Sequence, residues 1–260
     1  MNSITSLLKI METLRDPHKG CPWDREQTHS TILPHTIEEV YEIAEAIQSG
    51  NTGHFKDELG DLLFQIIFYC QIATENDDFN FNDVVINLND KLTRRHPHVF
   101  ADAEIKTASD LSRSWEQIKR EERLSAGKKD DGLLDSISAA LPALIHANKL
   151  QKKAATVGFD WSEIEPVIDK VKEELAEINE EIIKMDNQEK IAEEVGDLLF
   201  ACVNLARHLD VDAETALMSA NRKFKQRFSY IQTSLEAKGK SLEDASLDEM
   251  EALWEEAKGK

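Results

Sequence analysis

The chain is poor in residues that break helices, with ten glycines and six prolines in 260 positions. It also lacks sustained β-branched alternation, and the two absences together exclude a sheet-based fold. Its three cysteines, Cys21, Cys70 and Cys202, have no CxxC spacing and read as reduced structural residues, not a disulfide framework or thiolate metal site. No run of about 18 apolar residues occurs, so no membrane-spanning helix is expected. The opening "MNSITSLLKIMETLRD" is amphipathic and has no signal-peptide pattern, which makes the cytoplasm the expected location. Positive charge is scarce: 31 Lys and Arg stand against 50 acids, a net charge of −19. That balance argues against a nucleic-acid or anionic-membrane surface, because phosphate backbones are held by Lys and Arg. An acidic chain that handles phosphates needs metal cations to do so. The motifs GxxxxGK[ST], GxGxxG and HExxH are all missing, and the eight histidines show no ligand spacing. The His-Pro-His of "RRHPHVF" (Arg94 to Phe100) reads as a helix stop at Pro97.

Present in quantity is the amphipathic helix pattern, with apolar residues at i, i+3, i+4 and i+7, so the predicted fold is all-α. The pattern is written twice. "DELGDLLF" (Asp57 to Phe64) returns as "EEVGDLLF" (Glu193 to Phe200), and "HTIEEVYEIAEAI" (His35 to Ile47) returns as "KVKEELAEINEEI" (Lys170 to Ile182). "NDKLTRR" (Asn89 to Arg95) answers "NRKFKQR" (Asn221 to Arg227), and "WEQIK" (Trp115 to Lys119) answers "WEEAK" (Trp254 to Lys258). The Gly- and charge-rich "SAGKKDDGLLDS" (Ser125 to Ser136) suits an exposed linker. It places the boundary near residue 130, with domains at 1–125 and 133–260 and a linker at 126–132.

In each copy a helix carrying ExxE is followed by a short turn and a helix carrying ExxD. Gly50 is expected to end the first helix of copy one, and a Thr36–Glu39 capping box is a possible start for it. Residues three apart share a helix face about 4.5 Å apart along the axis. Glu39 with Glu42 and Glu58 with Asp61 therefore face one another across an antiparallel pair, as do Glu174 with Glu177 and Glu194 with Asp197. The acids of the second helices adjoin "LLFQIIF" and "LLFACVNLA", which are apolar almost all round and are expected to be buried. Four carboxylates in such surroundings repel and desolvate one another unless a cation neutralises them. Oxygen-only ligation selects a hard ion, Mg²⁺ with Mn²⁺ as a substitute. Gly60 and Gly196, each between two such acids, cost about 1 kcal/mol in a helix interior and are expected to make room for a neighbouring helix or a phosphate. The competing explanation is a solvated Glu-rich face, which duplication and the basic blocks disfavour.

Lys223 and Arg227 share a face, as do Lys91 and Arg95, and Trp254 stands four before Lys258 as Trp115 does before Lys119. Such groups can grip phosphate oxygens while an indole stacks on a base.

The acid pairs, "GCPWD" (Gly20 to Asp24), the doubled "GDLLF" and "RRHPHVF" together resemble the MazG-type nucleoside triphosphate pyrophosphohydrolases over essentially the whole chain. The resemblance implies two tandem MazG-like helical domains, each a hairpin that completes a four-helix-type bundle on homodimerisation. It further implies Mg²⁺-dependent hydrolysis of nucleoside triphosphates to monophosphate and pyrophosphate. Carried over by motif, Glu174, Glu177, Glu194 and Asp197 hold the metal, with Glu39, Glu42, Glu58 and Asp61 as a second possible set. Glu173 orients or deprotonates water, and Lys170, Glu193, Lys223, Arg227, Trp254 and Lys258 bind substrate. Lys91 to Trp115 and Lys223 to Trp254 are spaced differently, so the two pockets are not alike; the resemblance implies that the second copy is the hydrolytic one and the first weak, differently specific or structural. A hydrolase selective for a modified or deoxy nucleotide, and a regulatory helical protein with a structural metal, are the alternatives.

Overall fold

The computed structural model describes residues 3–101, 118, 121, 122, 132–184 and 188–259. No strand occurs among the described residues, and no helix there is long and apolar enough to cross a membrane. The chain divides into two compact units, Met1–Lys129 and Asp130–Lys260. Trp115 and Lys119 lie outside the described residues, as does most of the expected linker.

The first unit contains α1 (Ser3–Leu14), α2 (Pro22–Glu26), α3 (His29–Ser49), α4 (Thr52–Glu75), α5 (Phe81–Arg95) and α6 (Pro97–Phe100). Its centre is the hairpin of α3 and α4, with α1 and α5 packed on α4. Gly50 closes α3 in the left-handed region, φ 70°, where a side chain would be strained. Asn51 then caps α4, its side-chain oxygen accepting from the amides of Gly53 and His54 at 3.0 and 3.1 Å. Met11, Ile32, Ile67, Phe68 and Ile72 form the buried core. Arg15 fastens α1 and the turn after it to the end of α4. Its guanidinium meets the Glu75 carboxylate at 2.6–3.1 Å, donates to the carbonyls of Asp24 and Gln27, and lies 5.2 Å from the Phe68 ring centre. Gly20 is obligatory in that turn, because a Cβ there would collide with the carbonyls of Leu14 and Asp16. α5 stops at Arg95, before Pro97, as expected.

The second unit contains α7 (Ala143–Ala155), α8 (Glu165–Lys184), α9 (Gln188–His208), α10 (Ala213–Glu236) and α11 (Leu247–Lys258). The α8–α9 hairpin repeats α3–α4. α7 packs on α9 and α10, and α11 packs on α10 around Ile231, Leu235 and Leu253. Asp160 anchors the loop before α8 to the end of α9, accepting from Arg207 at 2.5 and 2.9 Å and contacting His208 at 3.0 Å. The hydrogen bonds from Arg207, and then the contact with His208, hold the Asp160 carboxyl below its usual range.

Two expectations need correction. α3 starts at His29, seven residues before Thr36, under a capping box made by Thr28 and Thr31. Pro34 is the sixth residue of the helix, where it forgoes the hydrogen bond to the Ser30 carbonyl, and the helix nevertheless runs through it. Thr36 is interior, with its hydroxyl 2.8 Å from that of Tyr69. The helices α4 and α9 are also not buried all round. Leu59, Leu63 and Ile66 on α4, and at the equivalent positions Val195, Leu199 and Cys202 on α9, are exposed. The hairpin partner and the packed helices cover the other faces and leave this stripe open. Val40 and Ile47 on α3 and Leu175 and Ile182 on α8 extend the apolar exposure.

Candidate functional site

Each hairpin brings acids of its two helices together. In the second unit, carboxylate oxygens of Glu174, Glu194 and Asp197 lie within 4.8 Å of one another; in the first, those of Glu39, Glu58 and Asp61 do the same. The fourth acid of each set stands against the cluster. Glu177 is repelled by Glu174 and by Glu194, and Glu42 repels Glu58. Burial, followed by neighbouring negative charge, pushes the carboxyls of Glu177 and Glu194 above their ordinary range. The same causes raise Glu39 and Glu58. A cation among them would favour their ionised forms.

The residues fit a hard divalent ion. The donors are all carboxylates, Glu174 is only 4% exposed, and one oxygen of Glu39 is buried with no hydrogen-bond partner. A site lined only by acceptors is completed by positive charge.

The remaining candidate residues are distributed as follows. Lys170, one helical turn before Glu174, places its ammonium 2.7 Å from that carboxylate and 3.0 Å from Glu173. The hydrogen bonds it donates to Glu174 and Glu173 raise its pKa. Glu173 is exposed on the outer side of α8, and Glu193 is exposed next to Glu194, which it repels. Arg227 lies 5.3 Å from the Trp254 ring centre. Trp254 is half-buried against the α10–α11 core, Lys223 is exposed, and Lys258 turns to Glu255 at 2.5 Å. Among the described residues, no hydrogen bond or ion pair joins this α10–α11 group to the carboxylates of α8 and α9. In the first unit Lys91 is half-buried, whereas Arg95, with Arg94, is closed on Glu122 at 2.5 and 2.7 Å. The two guanidiniums hold the Glu122 carboxyl down at about 2.

Sequence reasoning missed Phe224 and Phe228. Their rings stack at 6.0 Å with an interplanar angle of 9°, and Phe224 sits 5.3 Å from Trp254, forming an open aromatic surface beside Arg227. Aromatic residues at i and i+4, interleaved with Lys223 and Arg227, were the available signal. Gly60 and Gly196 differ from expectation in one respect. A Cβ at either would meet nothing within 4 Å, so no other helix among the described residues packs against them.

A family model described as the MazG nucleotide pyrophosphohydrolase domain matches residues 27–100 and 163–231, which contain the two hairpins. A nucleoside triphosphate pyrophosphohydrolase of Escherichia coli K12 is 50% identical over 259 residues, covering 99% of this chain and 98% of its own. A nucleoside triphosphate pyrophosphohydrolase/pyrophosphatase MazG of Thermotoga maritima is 44% identical over 253 residues, covering 97% and 94%. With both hairpins matched and relatives aligned from end to end, the chain belongs to the MazG nucleotide pyrophosphohydrolase family and carries its domain in two segments.

Proposed function

We propose that the chain hydrolyses nucleoside triphosphates to the monophosphate and pyrophosphate, by water attack at the α-phosphorus, in the α8–α9 cluster. The observation that carries this is the convergence of Glu174, Glu194 and Asp197, with Glu177 beside them, into an acceptor-only site beside Lys170. Glu174, Glu177, Glu194 and Asp197 hold the divalent ion, Mg²⁺ in the cell. When bound, that ion supplies positive charge against the phosphate oxygens and lowers the pKa of water. Lys170 exchanges its carboxylate partners for a phosphate oxygen, and Glu193 lines the entrance. Glu173, freed from Lys170, orients water. Lys223, Arg227 and Lys258 neutralise the leaving pyrophosphate, and Trp254 with Phe224 offers the base a stacking surface.

The separation of the α10–α11 group from the carboxylates, together with the open apolar stripe, supports a homodimer. In it, Val195, Leu199 and Cys202 are covered by a second copy and the hairpins pair into a four-helix-type bundle. The clear space at Gly60 and Gly196 suits such an approach. The first unit is not the hydrolytic one, because Arg95 is committed to Glu122 whereas its counterpart Arg227 pairs with no carboxylate among the described residues.

The test is incubation of the chain with a panel of ribo- and deoxynucleoside triphosphates and Mg²⁺, followed by separation of products. Pyrophosphate with monophosphate is expected. Orthophosphate with diphosphate would place attack at the γ position and reject the proposal.

A further inference from the structure

The Arg-Arg-His-Pro-His stretch that ends α5 carries more chemistry than a helix stop requires, and the hydrolytic reading assigns it no ligand. Arg94 and Arg95 turn both guanidiniums onto one carboxylate, that of Glu122. Arg94 donates to Oε1 from Nε at 2.9 Å and from Nη2 at 2.7 Å. Arg95 donates from Nε to the two oxygens at 3.3 and 3.2 Å, and from Nη2 to Oε2 at 2.5 Å. Two planar forks converging on one small oxyanion can grip a phosphate group as well as a carboxylate.

Three observations favour an exchangeable anion over a fixed structural pair. Within the trio two positive charges meet one negative, and a phosphate group, with about two negative charges near neutral pH, balances them more fully. The trio is open to solvent, the Arg94 side chain being 56% exposed and that of Glu122 20%, so a dissolved anion reaches it. At the same helix end the rings of His96 and His98 lie 5.7 Å apart, and the buried Nδ1 of His98 has no hydrogen-bond partner. The chain leaves that polar group unsatisfied.

The arrangement is particular to the first unit. At the matching positions of α10, Gln226 stands for Arg94, and Phe228 and Tyr230 stand for His96 and His98. The second unit thus keeps one arginine among aromatic rings, whereas the first doubles the arginine and replaces the rings with imidazoles. That exchange trades a stacking surface for donors, which fits a compact phosphate and not a base.

We propose that Arg94 and Arg95 form a phosphate-anion site in the first unit, occupied by the Glu122 carboxylate until a dissolved phosphate group takes its place. The two oxygens of Glu122 stand in for two phosphate oxygens. Binding here uses neither a metal nor the carboxylates of either hairpin, and it does not depend on which unit hydrolyses substrate.

The test is calorimetric titration of the full chain with sodium pyrophosphate, in chelator and at constant ionic strength. Lys223→Gln and Arg227→Gln are present throughout, which removes the α10 cations. In that background Glu122→Gln should bind pyrophosphate about fivefold more tightly than its parent, the loss of a partly exposed ion pair with good geometry. Adding Arg94→Gln and Arg95→Gln should abolish the gain, and Arg94→Gln alone, at the more exposed position, should remove about half of it. Circular dichroism of each variant checks that helicity is retained. Adenosine monophosphate, titrated likewise, separates two sources of the group: binding tighter than that of pyrophosphate assigns the site to a nucleotide's phosphate, and weaker binding assigns it to free pyrophosphate. The proposal is overturned if Glu122→Gln binds pyrophosphate no better than its parent, as follows if the trio is only a structural ion pair. It is equally overturned if the gain survives loss of both arginines. Because the readout uses neither turnover nor metal, failure of the hydrolytic reading would leave this result unchanged.

Discussion

Replacing Lys170 with Met should raise the affinity of the second-unit site for a divalent ion while weakening its hold on nucleotide. The ammonium stands 2.7 Å from Glu174, a contact worth about 6 kcal/mol gross at an effective dielectric of about 20. The lysine side chain is 37% exposed, so solvent screening and the entropy of holding a long side chain reduce the net to about 1–1.5 kcal/mol. An incoming cation must break that contact, so its removal should tighten Mn²⁺ binding about tenfold in the absence of nucleotide. The measurement is made with Glu58→Gln and Asp61→Asn in place, so that only the second-unit site is read. In hydrolysis assays the same variant should show a raised KM, since the lysine no longer meets a phosphate oxygen. Unchanged or weaker Mn²⁺ binding in Lys170→Met would refute the view that Lys170 holds the place of the ion.

Further outcomes follow from the same geometry. Glu177→Gln and Asp197→Asn should each reduce turnover by at least about a thousandfold, far beyond the 10–100-fold expected for outer partners of a metal site, while Glu42→Gln retains it; helicity by circular dichroism should be unaffected. Metal binding should release protons, because the raised carboxyls of Glu177 and Glu194 must ionise. Release should be greatest just above the ordinary carboxyl value of 4.5 and fade towards neutral pH, and calorimetry in buffers of different ionisation enthalpy will measure it. In the ion-free chain the sign is the same: these carboxyls destabilise the fold progressively as pH rises above 4.5, and a divalent ion should remove that slope. Leu199→Glu, on the open stripe of α9, should yield a monomer by size-exclusion chromatography with little loss of helix. Arg15→Met should destabilise the first unit by about 2–4 kcal/mol, because it strands Glu75 and two carbonyls; Glu75 is itself about one-third exposed, which keeps the loss below that of a fully buried pair.

What was legible in the sequence was local. The i, i+3 spacing and the short turn at Gly50 bring the acids together whatever lies around them, and Pro97 stops α5 by its own stereochemistry. The start of α3 was not legible, because Pro34 resembles a boundary and Thr36 resembles a cap, while the Thr28–Thr31 box works through a threonine where the usual pattern has Glu or Gln. The open faces of α4 and α9 were missed because apolar composition states what gains from burial, not which neighbour provides it. Phe224 was readable in principle, as part of an aromatic-basic interleave on α10.

The central claim is tested most directly by hydrolysis in ¹⁸O-labelled water with Mg²⁺, comparing wild type with Asp197→Asn. The account predicts the label in the nucleoside monophosphate for wild type and no turnover for the variant. Label in the pyrophosphate, or an active Asp197→Asn enzyme, would contradict it.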